Sequence, residues 1–213
     1  MSAARGRIAF LLSGSGSTLL NLFAAIERGE VPGEVVVVAS DRPGVKGLEH
    51  ARERGVPTLV VERTLNRGRE AYGRALEAAL APHRADLVVL GGFLTLFAIP
   101  PGLAGRVLNV HPSLLPRHGG PGCWGLHVHR AVLDAGDRES GCTVHVVTDE
   151  VDGGPIVAQR RVPVLAGDTP EALAARVQEA ERALFPPAIA AFLRGEAWVE
   201  QGRLRWREGA RPG

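Results

Sequence analysis

The chain opens on a short apolar run, Ile8 to Leu12, that stops abruptly at Ser13-Gly14-Ser15-Gly16-Ser17. Apolar residues then recur at helical spacing through Leu19, Leu22, Phe23 and Ile26, which predicts an amphipathic helix ending near Gly29. Val35 to Val38 is an unbroken β-branched run, the pattern of a strand covered on both faces. The alternation continues with a helix over Gly47 to Arg54, a strand at Thr58 to Val61 and a helix from Arg69 to Leu80. Further strands are predicted at Leu87 to Leu90 and Val107 to Val110. Strands separated by helices imply βαβ units with parallel pairing and right-handed crossovers. The expected fold is therefore α/β: a doubly wound, mostly parallel, Rossmann-like sheet with ligands outside the carboxyl ends of its strands.

The second half has a different rhythm. Thr143 to Val147 and Ile156 to Val164 read as strands joined through the tight turn Asp152-Gly153-Gly154-Pro155. A long helix follows from about Pro170 to Leu193, and a short hairpin closes the chain, giving a C-terminal antiparallel extension. With no internal repeat, low-complexity tract or clear linker, residues 1–213 are expected to form a single domain.

Composition narrows the partners. The 45% hydrophobic and 23% charged shares are ordinary for a globular chain, so disorder is not expected. The net charge of +2 comes from interspersed acids and bases, and Arg203, Arg205 and Arg207 alternate as the wet side of a terminal strand would. Nucleic acid is therefore not an expected partner. Cys123 and Cys142 are too few for a disulfide framework and lack Cys-x-x-Cys spacing, which predicts free thiols in a reducing compartment. No apolar stretch approaches the roughly 20 residues that span a bilayer. The N-terminus runs straight into a predicted strand, so the expectation is a cytoplasmic protein, monomeric or homodimeric, acting on small molecules.

Two segments carry candidate chemistry. The Ser13–Ser17 turn lies between a strand and a helix, where free amides and the helix dipole suit a monophosphate, with Ser17 and Thr18 adding hydroxyls. Leu19 stands where the dinucleotide fingerprint needs its third glycine, and no Gly-Lys-Ser/Thr is present, so a tight turn with a helix cap is an equal reading. In Leu108-Asn109-Val110-His111-Pro112-Ser113-Leu114-Leu115-Pro116, strand geometry sends Asn109 and His111 to the same side. Pro112 ends the pairing where such folds place ligands. A carboxamide that binds an oxyanion beside an imidazole that moves a proton suits acyl transfer; the same pair could also merely fasten the following turn. Asp152, between the strands of the second half, is a candidate acid–base partner or a turn aspartate bonded to its own backbone. Spacing alone does not bring it to His111.

Together these residues resemble the phosphoribosylglycinamide formyltransferase family of folate-dependent enzymes. The resemblance runs from Ile8 to about Gly195 and rests on several matching pieces. They are the Ser13–Thr18 turn, Gly91-Gly92-Phe93, the Asn109–Pro116 string, Gly125-Leu126-His127-Val128-His129, and Thr148-Asp149-Glu150-Val151-Asp152-Gly153-Gly154-Pro155. It implies transfer of the formyl group of 10-formyltetrahydrofolate, a co-substrate, to the amine of glycinamide ribonucleotide, by direct attack and without a metal. It further implies that Asn109, His111 and Asp152 are catalytic, Asn109 holding the oxyanion and His111, with Asp152 as its negative partner, handling the proton. Gly16, Ser17, Thr18, Gln178 and Glu181 match positions that hold the ribonucleotide. Arg69, Leu94, Thr95, Leu96, Phe97, Thr148, Asp149, Glu150 and Val151, together with Asn109 and Asp152, match positions that hold the folate. Residues 1–105 would then form a phosphate-binding half and 106–213 a catalytic and folate-binding half.

Three departures stand out. Gly14-Ser15-Gly16-Ser17-Thr18 replaces the usual Gly-Asn-Gly-Ser-Asn, Thr95 replaces an arginine common in relatives, and the loop Arg117 to Trp124 is slightly longer. That loop raises a metal reading through His118, Cys123, His127 and His129. The reading is set aside because the spacings fit no zinc pattern and His127 and His129 would leave a helix on different sides. His145, alternating with Val144 and Val146, fits either a cleft-lining residue or a buried structural histidine. The rival functions are a formyltetrahydrofolate hydrolase and a non-catalytic nucleotide- or folate-binding module. Transfer to methionyl-tRNA is disfavoured by chain length.

Overall fold

The computed structural model describes residues 5–210. Seven strands form one sheet in the order β3-β2-β1-β4-β5-β6-β7. They are β1 (Gly6–Leu12), β2 (Gly33–Ser40), β3 (Thr58–Val60), β4 (Leu87–Leu90), β5 (Val107–His111), β6 (Glu139–Val146) and β7 (Ile156–Pro163). Strands β1 to β5 pair in parallel, and β6 and β7 extend the sheet antiparallel. The helices are α1 (Ser17–Glu27), α2 (Lys46–Glu53), α3 (Arg69–Leu80), α4 (Leu126–Asp134) and α5 (Pro170–Leu193).

The period-2 pattern of β1 shows why helices cover both faces. Ile8, Phe10 and Leu12 enter one core with Leu19 and Leu22 of α1, Leu48 of α2, Val132 of α4 and Leu173 and Val177 of α5. Ala9 and Leu11 enter the other core, against Tyr72, Leu76 and Leu80 of α3. Helix α5 starts with Thr169 accepting from the Ala172 amide at 3.2 Å and Pro170 at its first turn, a well-formed N-terminus. The terminal hairpin pairs β8 (Ala197–Glu200) with β9 (Arg203–Trp206). Leu204 and Trp206 pack on the first core while Arg203, Arg205 and Arg207 stay exposed, as their alternation predicts.

Chain order reverses at β1: β2 and β3 build outward on one side, and β4 returns to the other. The crevice of a doubly wound sheet opens at such a switch point. Here the two loops leaving it, after β1 and after β4, are tied together. The Gly91 amide donates to Leu11 O at 2.9 Å and the Ser13 amide to Gly92 O at 3.1 Å, while Leu94 N donates to Ser13 Oγ at 2.9 Å. Strand β6 begins at Glu139, four residues before the expected start at Thr143. Glu139, Ser140 and Gly141 have little strand character of their own and are held by register against Pro163, Val162 and Arg161 of β7. Among the described residues no helix is long and apolar enough to cross a membrane.

Candidate active site

A cavity of about 570 Å³ opens outside the carboxyl ends of β1, β4 and β5. The sequence explains its floor. β5 carries Asn109 and His111 on one face, and antiparallel β6 sets His145 directly opposite Asn109 and Thr143 opposite His111. The β6–β7 connection then bends back and brings Asp152 over the same spot, in a left-handed conformation with φ +55. Gly154 makes that return feasible, since a Cβ there would overlap the Val146 carbonyl.

Four polar side chains converge. Asp152 Oδ2 lies 3.4 Å from His111 Nδ1, and Asp152 Oδ1 lies 3.5 Å from His145 Nε2. The Gly120 amide donates to Asp152 Oδ2 at 2.9 Å. His145 Nδ1 is 3.2 Å from Val146 O and its Nε2 is 3.1 Å from Asn109 Nδ2. A carbonyl only accepts, so the His145 proton sits on Nδ1 and Nε2 accepts from the Asn109 amide. Burial pushes the His145 pKa down, against the opposing pull of Asp152, consistent with this neutral tautomer. Asn109 is thus oriented, with a second N–H left for a ligand. His111 Nε2 donates to His118 O at 2.9 Å, leaving Nδ1 to face the carboxylate. His111 and His145 are nearly inaccessible, at 5% and 2% of side-chain surface, so the Asp152 carboxylate acts on them with little screening by water.

The remaining sequence-derived residues divide by wall. Ser17 and Thr18 at the start of α1 and Gln178 and Glu181 on α5 form a polar end. The first turn of α1 has no acidic residue, which suits an anion. Burial raises Glu181 to about 7. Leu94, Thr95, Leu96 and Phe97 after β4, with Arg69, Thr148, Glu150 and Val151, form a second, more apolar wall. Gly16 and Asp149 stand behind the lining. Gly16, at φ +76, turns the chain into α1, and Asp149 Oδ1 accepts from the Ile99 amide at 2.8 Å, fixing the second wall. Arg69 donates to Asp149 O at 2.6 Å.

Thr95 turns inward and donates to Asp41 Oδ2 at 2.7 Å. Burial works against the Asp41 charge, but hydrogen bonds from Arg42, Thr95 and Ser13 outweigh it and hold the carboxyl below its usual range. Of the candidate metal ligands, His118 Nε2 meets Asp137 at 2.8 Å, His127 packs edge-on against Trp124, and buried His129 and Cys123 both line the cavity. Both cysteines are free, and burial pushes the Cys142 thiol up to about 12.

The arrangement combines an oriented amide donor, an imidazole–carboxylate pair and two chemically distinct walls, as transfer between two bound reactants requires. His145 is the member that sequence spacing left open; its alternation between two valines is the only signal for it. Residues 6–189 match the family model for formyl transferase. The chain is 41% identical over 205 residues to phosphoribosylglycinamide formyltransferase of Escherichia coli K12, covering 95% of this chain and 91% of that one. Glycinamide ribonucleotide transformylase 1 from Symbiobacterium toebii superposes with a TM-score of 0.87 at 40% identity, over 96% of this chain and 95% of that one. A formyltetrahydrofolate deformylase from Pseudomonas syringae shares the fold, with a TM-score of 0.83 at 23% identity, over 97% of this chain and 67% of that one.

Proposed function

The chain belongs to the formyl transferase family, and from that premise we propose that it moves the formyl group of 10-formyltetrahydrofolate to the amine of glycinamide ribonucleotide, a step of purine biosynthesis. The observation that carries the reading is the convergence of Asn109, His111, His145 and Asp152 between a polar wall and an apolar one. It is supported by the names of the relatives that align over nearly the whole chain.

The ribonucleotide's phosphate lies at the start of α1, on free amides and the Ser17 and Thr18 hydroxyls, with Gln178 and Glu181 on its sugar. The folate lies along Leu94 to Phe97, Arg69 and the Thr148–Asp152 loop. The glycinamide nitrogen attacks the formyl carbon, forming a C–N bond and a tetrahedral oxyanion. The free N–H of Asn109 donates to that oxygen, and its bond to His145 holds it in place before the reaction begins. Asp152 takes the proton that the attacking amine loses. His111, facing Asp152, returns a proton to N10 as the C–N10 bond breaks. One proton leaves the amine and one arrives at N10, so the transfer balances with no metal, redox group or protein nucleophile.

Initial rates of folate product formation, measured with and without glycinamide ribonucleotide, test the proposal. Product should form only with the ribonucleotide. Equal turnover in its absence would make water the acceptor and the enzyme a hydrolase.

A further inference from the structure

Among the described residues three polar side-chain atoms are sealed from solvent without a hydrogen-bond partner: His129 Nδ1, Ser140 Oγ and Trp206 Nε1. Of these residues only His129 lines the catalytic cavity, and it is 4% exposed. The other two cavity histidines are engaged, His111 by His118 O and His145 by Val146 O and Asn109. A buried polar ring left unbonded calls for an explanation, and a ligand supplies one. Burial holds the His129 pKa down, and a charge on the neighbouring His111 lowers it further, so the ring is neutral and carries one proton. A sealed N–H without an acceptor is the rarer orphan, which puts the proton on Nε2, the nitrogen that keeps access to the cavity.

The fold decides which reactant that proton meets. Helix α4 packs on α5, and α5 on α1. Val132, one turn beyond His129, shares its core with Leu173 and Val177 of α5, whereas Phe97 of the folate wall packs with Tyr72 on the opposite face of the sheet. His129 therefore stands on the side of Gln178 and Glu181, near enough to His111 to feel its charge. Resting on the transfer reading above, we propose that His129 is an acceptor-binding residue, its Nε2–H donating to the glycinamide carbonyl oxygen of the ribonucleotide. The rest of that molecule is already held. Its phosphate takes the α1 amides, its sugar takes Gln178 and Glu181, and its amine faces Asp152. The amide lies between sugar and amine, one carbon from the nitrogen that attacks, and its carbonyl is the strongest neutral acceptor there. A neutral donor meets it without burying a charge.

The test titrates glycinamide ribonucleotide and, separately, ribose 5-phosphate into the full chain by calorimetry, alongside steady-state kinetics. His129→Leu keeps the bulk and removes the donor. It should weaken ribonucleotide binding about tenfold and raise the ribonucleotide KM equally, while ribose 5-phosphate binding and the folate KM stay within about twofold. His129→Gln, which restores an N–H near the position of Nε2, should recover ribonucleotide binding to within about threefold of wild type. Unchanged ribonucleotide binding in His129→Leu, an equal loss for ribose 5-phosphate, or His129→Gln as weak as His129→Leu overturns the assignment. If the wild type binds the ribonucleotide in a His129-dependent way yet forms no formylated product, the transfer reading falls and this one stands. If the wild type does not bind the ribonucleotide, both fall.

Discussion

Glu181 offers the sharpest quantitative handle on the polar wall. Its carboxyl is pressed against the cavity beside Ser17, Thr18 and Gln178, where desolvation raises its pKa from an ordinary 4.5 to about 7 and Arg182 only partly opposes the rise. A carboxyl raised on folding favours the protonated native form. Its contribution to stability is therefore intact below about 4.5 and is lost as pH climbs through about 7. At about 1.4 kcal/mol per pH unit, the full loss is roughly 3 kcal/mol, an upper bound because the cavity leaves part of the group wet. Glu181→Gln keeps the shape and removes the titration. Urea denaturation of both proteins between pH 5 and pH 8.5 should show the wild type losing about 2 to 3 kcal/mol relative to the variant, most of it below pH 7.5. A difference that stays constant with pH, or that grows in favour of the wild type, refutes the argument that this carboxyl is buried without a cationic partner strong enough to offset its desolvation.

Two further outcomes are expected. His111→Ala should lower kcat by at least about 10³-fold, since it removes proton delivery to the departing nitrogen, while both KM values stay within about threefold; near-normal turnover in steady-state assays would take His111 out of the chemistry. Gly154→Ala should cost about 2 kcal/mol or more and lower Tm by at least about 4 °C, because its Cβ would overlap the Val146 carbonyl. Gly14→Ala, with open space at its Cβ, serves as the thermally neutral control in the same calorimetric scan.

The parallel part of the sheet was legible because each strand is a short apolar run with nothing else to become. Ile8–Leu12, Val35–Val38 and Leu87–Leu90 need burial on both faces, and only flanking helices supply it. The pairing of Asn109 with His111 was legible for the same local reason, the period of a strand. Asp152 was not, since its approach to His111 depends on the antiparallel register of β5 on β6 and on the turn at Gly154, both set by long-range contacts. His145 shares that fate: its position opposite Asn109 follows from register, not from its neighbours. The bond from the Ile99 amide to Asp149 Oδ1 is likewise a long-range contact that no local pattern announces.

In the proposed reaction one formyl group passes directly between two bound small molecules. The most direct measurement follows 10-[13C-formyl]tetrahydrofolate by NMR during turnover with glycinamide ribonucleotide. The label should move quantitatively into the formylated amide, with one tetrahydrofolate released per formyl transferred. Label that accumulates as formate, at a rate indifferent to the ribonucleotide, would contradict it.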